Sequence, residues 1–147
     1  MTVHLIKLCV GVDSPQDLEA RQARQIARAE GETGRRVAWH TTRRTPRRVH
    51  EVLDGGSLYW VMAGQIRARQ ALLDLRETTD SQGKPACMLE LAPGVIPVEP
   101  TPHRPFQGWR YLEPRRAPCD SPGEGSDESQ LTEAILAEMA ERGFRSA

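Results

Sequence analysis

A glycine pair joins a short helical pattern to an aromatic, β-prone run in residues 54–70, and this junction constrains the fold more than any other feature. Apolar residues at helical spacing occupy residues 49–53, and Gly55 follows where a C-cap glycine belongs. Residues 57–63 then have the composition of a strand. A chain that passes directly from helix to strand at its centre is expected to form a domain that mixes the two kinds of element.

Length and composition indicate one soluble domain with a tail. The chain has 147 residues, of which 38% are hydrophobic and 27% charged. Residues 1–116 are predicted to form a single α+β domain. Residues 117–130 are rich in Pro, Gly, Ser and acids and are predicted to be an acidic flexible linker. Residues 131–145 are predicted to form a C-terminal amphipathic helix.

The predicted fold class is α+β. We expect a small curved sheet, mixed or antiparallel, or a pseudobarrel, with two N-terminal helices and the C-terminal helix. Ser14-Pro15 predicts the start of the first helix, which should run to about Glu30, and Thr45-Pro46 predicts the start of the second. Gly64 is interpreted as a bulge that bends one long strand.

The net charge of zero hides an asymmetry between the body and the tail. Residues 1–118 hold 18 Lys and Arg against 13 Asp and Glu, whereas residues 119–147 hold 2 against 7. A basic body with an acidic tail suggests an anionic partner, or a tail that competes for the same surface.

A basic stretch at residues 35–48 is the first candidate site. Its arginines surround the predicted helix start at Thr45-Pro46, where unpaired backbone N–H groups favour an anion. Arginine forks also suit phosphate. The alternative interpretation is a solvated basic face without a ligand.

Aromatic and arginine side chains form the second candidate site, because aromatic faces stack on bases while arginines hold a backbone. Trp60, inside an apolar run, is more simply a core residue. Residues 55–57 (Gly-Gly-Ser) do not fit a nucleophile elbow, since they lead from helix to strand, but their amides could face an anion. The predicted ligand-binding residues are Arg43, Arg44, Arg47, Arg48, Gly55, Gly56, Ser57, Arg67, Arg69, Trp39, Trp109 and Arg110.

Metal, cofactor and catalytic chemistry find little support. The four histidines show no pairing at ligand spacing, and the three cysteines lie far apart, as is usual in a reducing compartment. We predict no metal, no cofactor and no catalytic residue. No signal peptide or membrane-spanning run is present in the sequence, so the expected location is the cytoplasm, with no membrane partner.

Several blocks resemble a bacterial family, domain of unknown function 1489. They are residues 1–12, residues 53–61, Ile66 with Gln70, and residues 104–112. The resemblance covers about residues 1–116 and implies a small cytoplasmic bacterial protein without an established activity. Where members of the family have a lysine after the Tyr-Trp-Val strand, this chain has Met62-Ala63, so no lysine is carried over.

A weaker likeness concerns the order of elements, which is similar to that of the PUA-like pseudobarrels that bind RNA or modified bases. The sequence therefore predicts a non-enzymatic binding module for RNA, a nucleotide or another anionic ligand, held in a basic cleft. The alternatives are a protein-interaction or assembly factor that uses residues 131–145, and an uncharacterised small enzyme.

Overall fold

Seven strands and two α-helices make up residues 1–121, the part of the chain that the computed structural model describes. All seven strands belong to one sheet. In chain order the elements are β1 (His4–Leu8), α1 (Pro15–Thr33), β2 (Ala38–Thr42), α2 (Val49–Val52), β3 (Ser57–Met62), β4 (Gln65–Thr79), β5 (Pro85–Leu91), β6 (Ile96–Pro102), β7 (Trp109–Leu112) and a 3-10 turn (Pro114–Arg116).

The sheet is mixed and open. Its strand order is β2-β5-β4-β3-β1-β7, and β6 also pairs with β4. The β1–β3 pair is parallel and the other pairs are antiparallel. This confirms the α+β class and the curved sheet, but strand pairing within residues 1–121 leaves β2 and β7 as separate edges and does not close a barrel.

β4 organises the sheet because three strands pair with it. Its first half pairs with β3 on one side and with β6 on the other, and its second half pairs with β5. Register shifts occur on β4 between Ile66 and Ala68 and again between Leu72 and Asp74. These irregularities allow a long strand to bend and so curve the sheet.

Gly64 has a different role from the predicted one. It lies in the two-residue turn between β3 and β4, with φ of 80°, and Ala63 before it has φ of 50°. Two successive residues with positive φ are typical of the tight hairpin turn whose twist matches the flanking strands. The interpretation of Gly64 as a bulge was therefore wrong.

α1 begins where the sequence predicts. The Ser14 side chain accepts a hydrogen bond from the Asp17 backbone N–H at 3.1 Å, and Pro15 is the first helical residue. The helix continues to Thr33, one turn beyond the predicted end, and Gly34 ends it in the left-handed region at φ 78°. Gln22 is buried along with the apolar face that packs on the sheet.

α2 begins later than the sequence predicts. It covers only Val49–Val52, so Thr45-Pro46 does not start a helix. The backbone N–H groups of Arg47 and Arg48 instead donate to the Tyr111 hydroxyl, at 3.0 and 3.1 Å. The predicted anion site at a helix N-terminus is therefore not formed, because a distant tyrosine takes the N–H groups.

The Gly55-Gly56 junction leads from α2 into β3, as predicted, but α2 is capped at Leu53, so the prediction of Gly55 as its C-cap was wrong. Gly55 has φ of 80°, which favours glycine. A Cβ at Gly56 would lie 2.2 Å from the Val52 carbonyl oxygen and 2.6 Å from that of Val3. Close backbone approach therefore requires glycine at this position.

Residues 119–121 lie against β6. The Glu99 N–H donates to the Cys119 carbonyl at 2.8 Å, and the Ser121 N–H donates to the Pro97 carbonyl at 2.9 Å. The rest of the predicted linker and the predicted helix at 131–145 lie outside the described residues. Neither helix within residues 1–121 is long and apolar enough to cross a bilayer.

Candidate functional site

Most arginines of the predicted basic site have partners within the protein. The Arg43 guanidinium donates to Asp80 at 2.9 Å, and Arg48 forms ion pairs with Glu51 and Glu113. Arg44 donates to the Trp109 carbonyl at 3.1 Å, and its Cζ lies 4.2 Å from the centroid of the Trp109 ring. These contacts favour a largely structural role for the stretch.

The Arg67 and Arg69 side chains also contact the protein. Arg67 donates to the Asp13 carbonyl at 3.2 Å. Arg69 binds both carboxylate oxygens of Asp120, at 2.7 and 2.8 Å, and donates to the Ser57 hydroxyl at 2.9 Å. The guanidinium of Arg69, which the sequence predicts to bind a ligand, is therefore paired with the Asp120 carboxylate.

The predicted residues form separate groups. Arg44, Arg47 and Trp109 line a pocket of about 500 Å³ with Thr45 and Tyr111, Ser57 meets Arg69, and Gly55-Gly56 is a backbone junction. Trp109 is 2% exposed, and Arg110 lies over Phe106 with its Cζ 4.7 Å from the ring centroid. Trp39 alone among them lines the pocket described next.

A pocket of about 450 Å³ lies between α1 and the sheet. This volume falls in the range of small-molecule sites, roughly 300–1,000 Å³. We call it the α1 pocket. Its lining residues are Lys7, Leu8, Cys9, Val10, Leu18, Arg21, Gln22, Gln25, Trp39, His40 and Trp60.

The α1 pocket presents cations and amides and no carboxylate. Lys7 is half-buried on β1, and its side-chain ammonium makes no hydrogen bond or ion pair with another described residue. Arg21 donates to the carbonyls of Val10 and Gly11, each at 3.3 Å, so its charge is held beside the opening. Burial lowers the pKa of Lys7, because a desolvated ammonium is less stable without a counter-ion. A bound anion would supply that counter-ion.

His40 adds an unsatisfied polar atom. Its Nε2 is buried and has no hydrogen-bond partner among residues 1–121. The imidazole ring packs edge-on against Trp60, with 5.2 Å between the ring centroids. Buried polar groups are nearly always hydrogen-bonded, so an unpaired one on a pocket wall is a candidate ligand contact.

A buried amide network fixes the pocket walls. Gln22 on α1 and Gln70 on β4 exchange hydrogen bonds of 2.9 and 2.8 Å. The Trp60 indole N–H donates to Gln70 at 3.0 Å, and the Trp39 backbone N–H donates to Gln25 at 2.9 Å. These bonds tie α1 to three strands, so the pocket is held in a defined shape without a ligand.

Thiol and metal chemistry find no basis in this pocket. Burial raises the pKa of the Cys9 thiol to about 11, which keeps it protonated at neutral pH and removes its nucleophilic form. Within residues 1–121, no group of three or more His, Cys, Asp or Glu side chains could hold a metal ion. The polar part of the pocket lining consists of hydrogen-bond donors and positive charge, beside the half-buried ring of Trp39.

We predict that His40 makes the stability of the protein depend on pH. Burial, with a smaller contribution from the Lys7 charge, lowers its pKa from 6.5 to about 4. The unfolded chain therefore binds more protons between these pH values, and the free energy of unfolding should fall as the pH drops from 6.5 to 4. The full shift corresponds to about 3 kcal/mol.

Urea unfolding across this pH range measures the effect in the wild type and in His40→Gln. The substitution should remove the contribution of His40 to that loss, while His4, whose pKa burial also lowers, keeps its own contribution, and His50→Gln, at an exposed position on α2, should keep the wild-type profile. Equal profiles for His40→Gln and the wild type would contradict the prediction.

Sequence reasoning missed Lys7, Arg21, Gln25 and His40. One available signal was Gln70, because it lies in phase with the buried residues Ile66, Ala68 and Leu72 of β4. Another was Gln22, four residues from both Leu18 and Ile26 on the buried face of α1. Polar residues in apolar phases predict a buried network and hence a rigid wall near a site.

The open mixed sheet, α1 across it and the pocket between them define a small α+β protein. The chain belongs to a family of proteins of unknown function, DUF1489, whose model matches residues 5–144. This confirms the resemblance and extends it beyond residue 116. No curated protein and no solved structure matches the chain.

Proposed function

We propose that this protein is a binding module for an anionic ligand, RNA or a nucleotide, and that the α1 pocket holds the anionic group. The observation that carries the proposal is the half-buried Lys7 without a carboxylate in the pocket lining. The site differs from the arginine cleft that the sequence predicts, but the ligand class is the same.

The remaining polar atoms of the pocket agree with this ligand class. Lys7 offers ammonium donors, and the unpaired His40 Nε2 offers one further hydrogen bond. The half-buried Trp39 supplies aromatic surface on the wall beside them. A flat ring joined to a phosphate could use both kinds of group, because stacking and charge recognition act on different parts of a nucleotide.

Two earlier expectations remain part of the proposal. The element order similar to PUA-like pseudobarrels supports a ligand at the cleft between helix and sheet, although fold alone does not fix function. A cytoplasmic location would give access to nucleotides and RNA.

The two lysines of the chain provide a direct test. Lys7→Met removes the pocket ammonium and keeps an apolar stem, and Lys84→Met makes the same change on the exposed β4–β5 turn. Isothermal titration at low salt with UMP, AMP and inorganic phosphate should show that Lys7→Met weakens binding about tenfold or more, because a charged hydrogen bond contributes about 1.5–3 kcal/mol.

Lys84→Met should bind as the wild type does, and both variants should unfold at the wild-type temperature within a few degrees. If UMP, AMP, phosphate and single-stranded RNA all fail to bind the wild-type protein, the function is wrong. If the two lysine variants bind these ligands equally, the assignment of the ligand to the α1 pocket is wrong.

A further inference from the structure

An arginine stripe runs along α1 beside the pocket opening. Arg21, Arg24 and Arg28 lie three and four residues apart, which places them on one side of a helix. All three are exposed. Since Arg21 and Gln25 line the α1 pocket, the stripe borders the pocket and continues away from it. We call these three residues the α1 arginine stripe.

The outer charges of the stripe are available to a ligand. The guanidinium groups of Arg24 and Arg28 make no ion pair or hydrogen bond with another described residue, whereas those of Arg35, Arg36 and Arg43 nearby in sequence are paired with carboxylates. Asp17 and Glu32 lie one turn beyond the two ends of the stripe, and neither forms an ion pair with it.

The spacing of the stripe fits a chain of anionic groups better than a single one. Arg28 lies seven positions after Arg21, which corresponds to about 10 Å along the helix axis at roughly 1.5 Å per residue. One phosphate in the pocket could reach Lys7 and Arg21 but would leave Arg24 and Arg28 unused. A phosphodiester backbone continues at intervals past the first phosphate.

We infer that the ligand is single-stranded nucleic acid, with one nucleotide in the α1 pocket and the phosphates that flank it on the α1 arginine stripe. This inference rests on the proposed function and narrows it from any anion to a polynucleotide. A single strand fits because an unstacked base can enter the pocket beside Trp39 while the backbone stays on the surface.

The test compares a uridine hexanucleotide with UMP on a double variant, Arg24→Gln with Arg28→Gln. Its matched control is Arg115→Gln with Arg116→Gln, which removes two exposed arginines from the 3-10 turn. At low salt the wild type should bind the hexanucleotide at least about tenfold more tightly than UMP. The stripe variant should lose most of that gain, and the control should retain it.

Salt dependence gives an independent measure. Each phosphate contact on a single strand contributes about 0.7 to the slope of log K against log salt, so the stripe variant should have a slope smaller by about 1.4 for the hexanucleotide. Its UMP affinity should equal that of the wild type. A hexaphosphate chain without bases should bind more weakly than the hexanucleotide.

The outcomes separate the two proposals. If UMP binds but the hexanucleotide binds no more tightly, the role proposed for the α1 arginine stripe is wrong, while the role of the α1 pocket stands. The same holds if the stripe and control variants lose equal affinity for the hexanucleotide. If the hexaphosphate chain binds as tightly as the hexanucleotide, the inference that a nucleotide occupies the α1 pocket is wrong. If neither UMP nor the hexanucleotide binds, the proposed function fails as well.

Discussion

Gly56→Ala is expected to destabilise the protein by roughly 3–5 kcal/mol, enough to unfold many domains of this size. The new Cβ would lie 2.2 Å from the Val52 carbonyl oxygen and 2.6 Å from the Val3 carbonyl oxygen, both of them backbone atoms. Relief would require α2 and the chain before β1 to move apart. Such movement would also strain the hydrogen bonds of Gly56 to Val52 and Leu72, at 3.1 and 3.0 Å.

Urea unfolding followed by circular dichroism measures this effect. Gly31→Ala is a matched control, because Gly31 lies in α1 and a Cβ there would meet nothing within 4 Å. Alanine in an open helical position should raise the free energy of unfolding by roughly 0.5–1 kcal/mol. A loss below about 1 kcal/mol for Gly56→Ala would contradict the packing argument.

Gln70→Leu is expected to lower the free energy of unfolding by roughly 3 kcal/mol, which is the second large effect. Each buried polar group that is left unpaired costs about 1–3 kcal/mol. Gln70 is fully buried, and its amide bonds with Gln22, Trp60 and the Ala92 carbonyl. Leucine fills similar space but leaves these partners without hydrogen bonds.

A double-mutant cycle with Gln22→Leu isolates the amide pair. The double variant should be destabilised by less than the sum of the single variants, since it removes both halves of the reciprocal bond together. Gln65→Ala is the control on the same strand, at a half-exposed position. Additive single effects would show that the two amides do not stabilise one another.

Local signals predicted the elements whose residues act on their near neighbours. Ser14-Pro15 starts α1 because its cap bond joins residues three apart in the chain. Cys87, Leu89 and Leu91 alternate along β5, so the pleat of the strand places them on one face, and all three are buried. Such features depend on chain periodicity and cap chemistry, which sequence displays directly.

The failures arose where distant residues decide the local structure. The N–H groups of Arg47 and Arg48 bond to the hydroxyl of Tyr111, more than 60 residues away, so no helix forms at Thr45. Gly64 was misread because Ala63 adopts a positive φ, which few alanines do. Neither arrangement leaves a pattern in the residues near it.

The candidate site was the hardest feature to predict. Its cations and aromatic walls come from β1, α1, β2 and β3, and the strand order that brings them together is not encoded in any one segment. The sequence predicted a site among clustered arginines, yet Asp80 pairs with Arg43 and Asp120 pairs with Arg69.

The position of β1 sets the order in which the sheet can be completed during synthesis. Within residues 1–121, β1 is the first strand, and it lies between β3 and β7, which is the last of these strands. One of its edges must stay unpaired until residue 112 has left the ribosome, so the nascent chain carries an open, apolar strand edge for most of its translation. Such edges are prone to pair with other chains. The topology therefore delays the pairing of one edge of β1 until most of residues 1–121 have been synthesised.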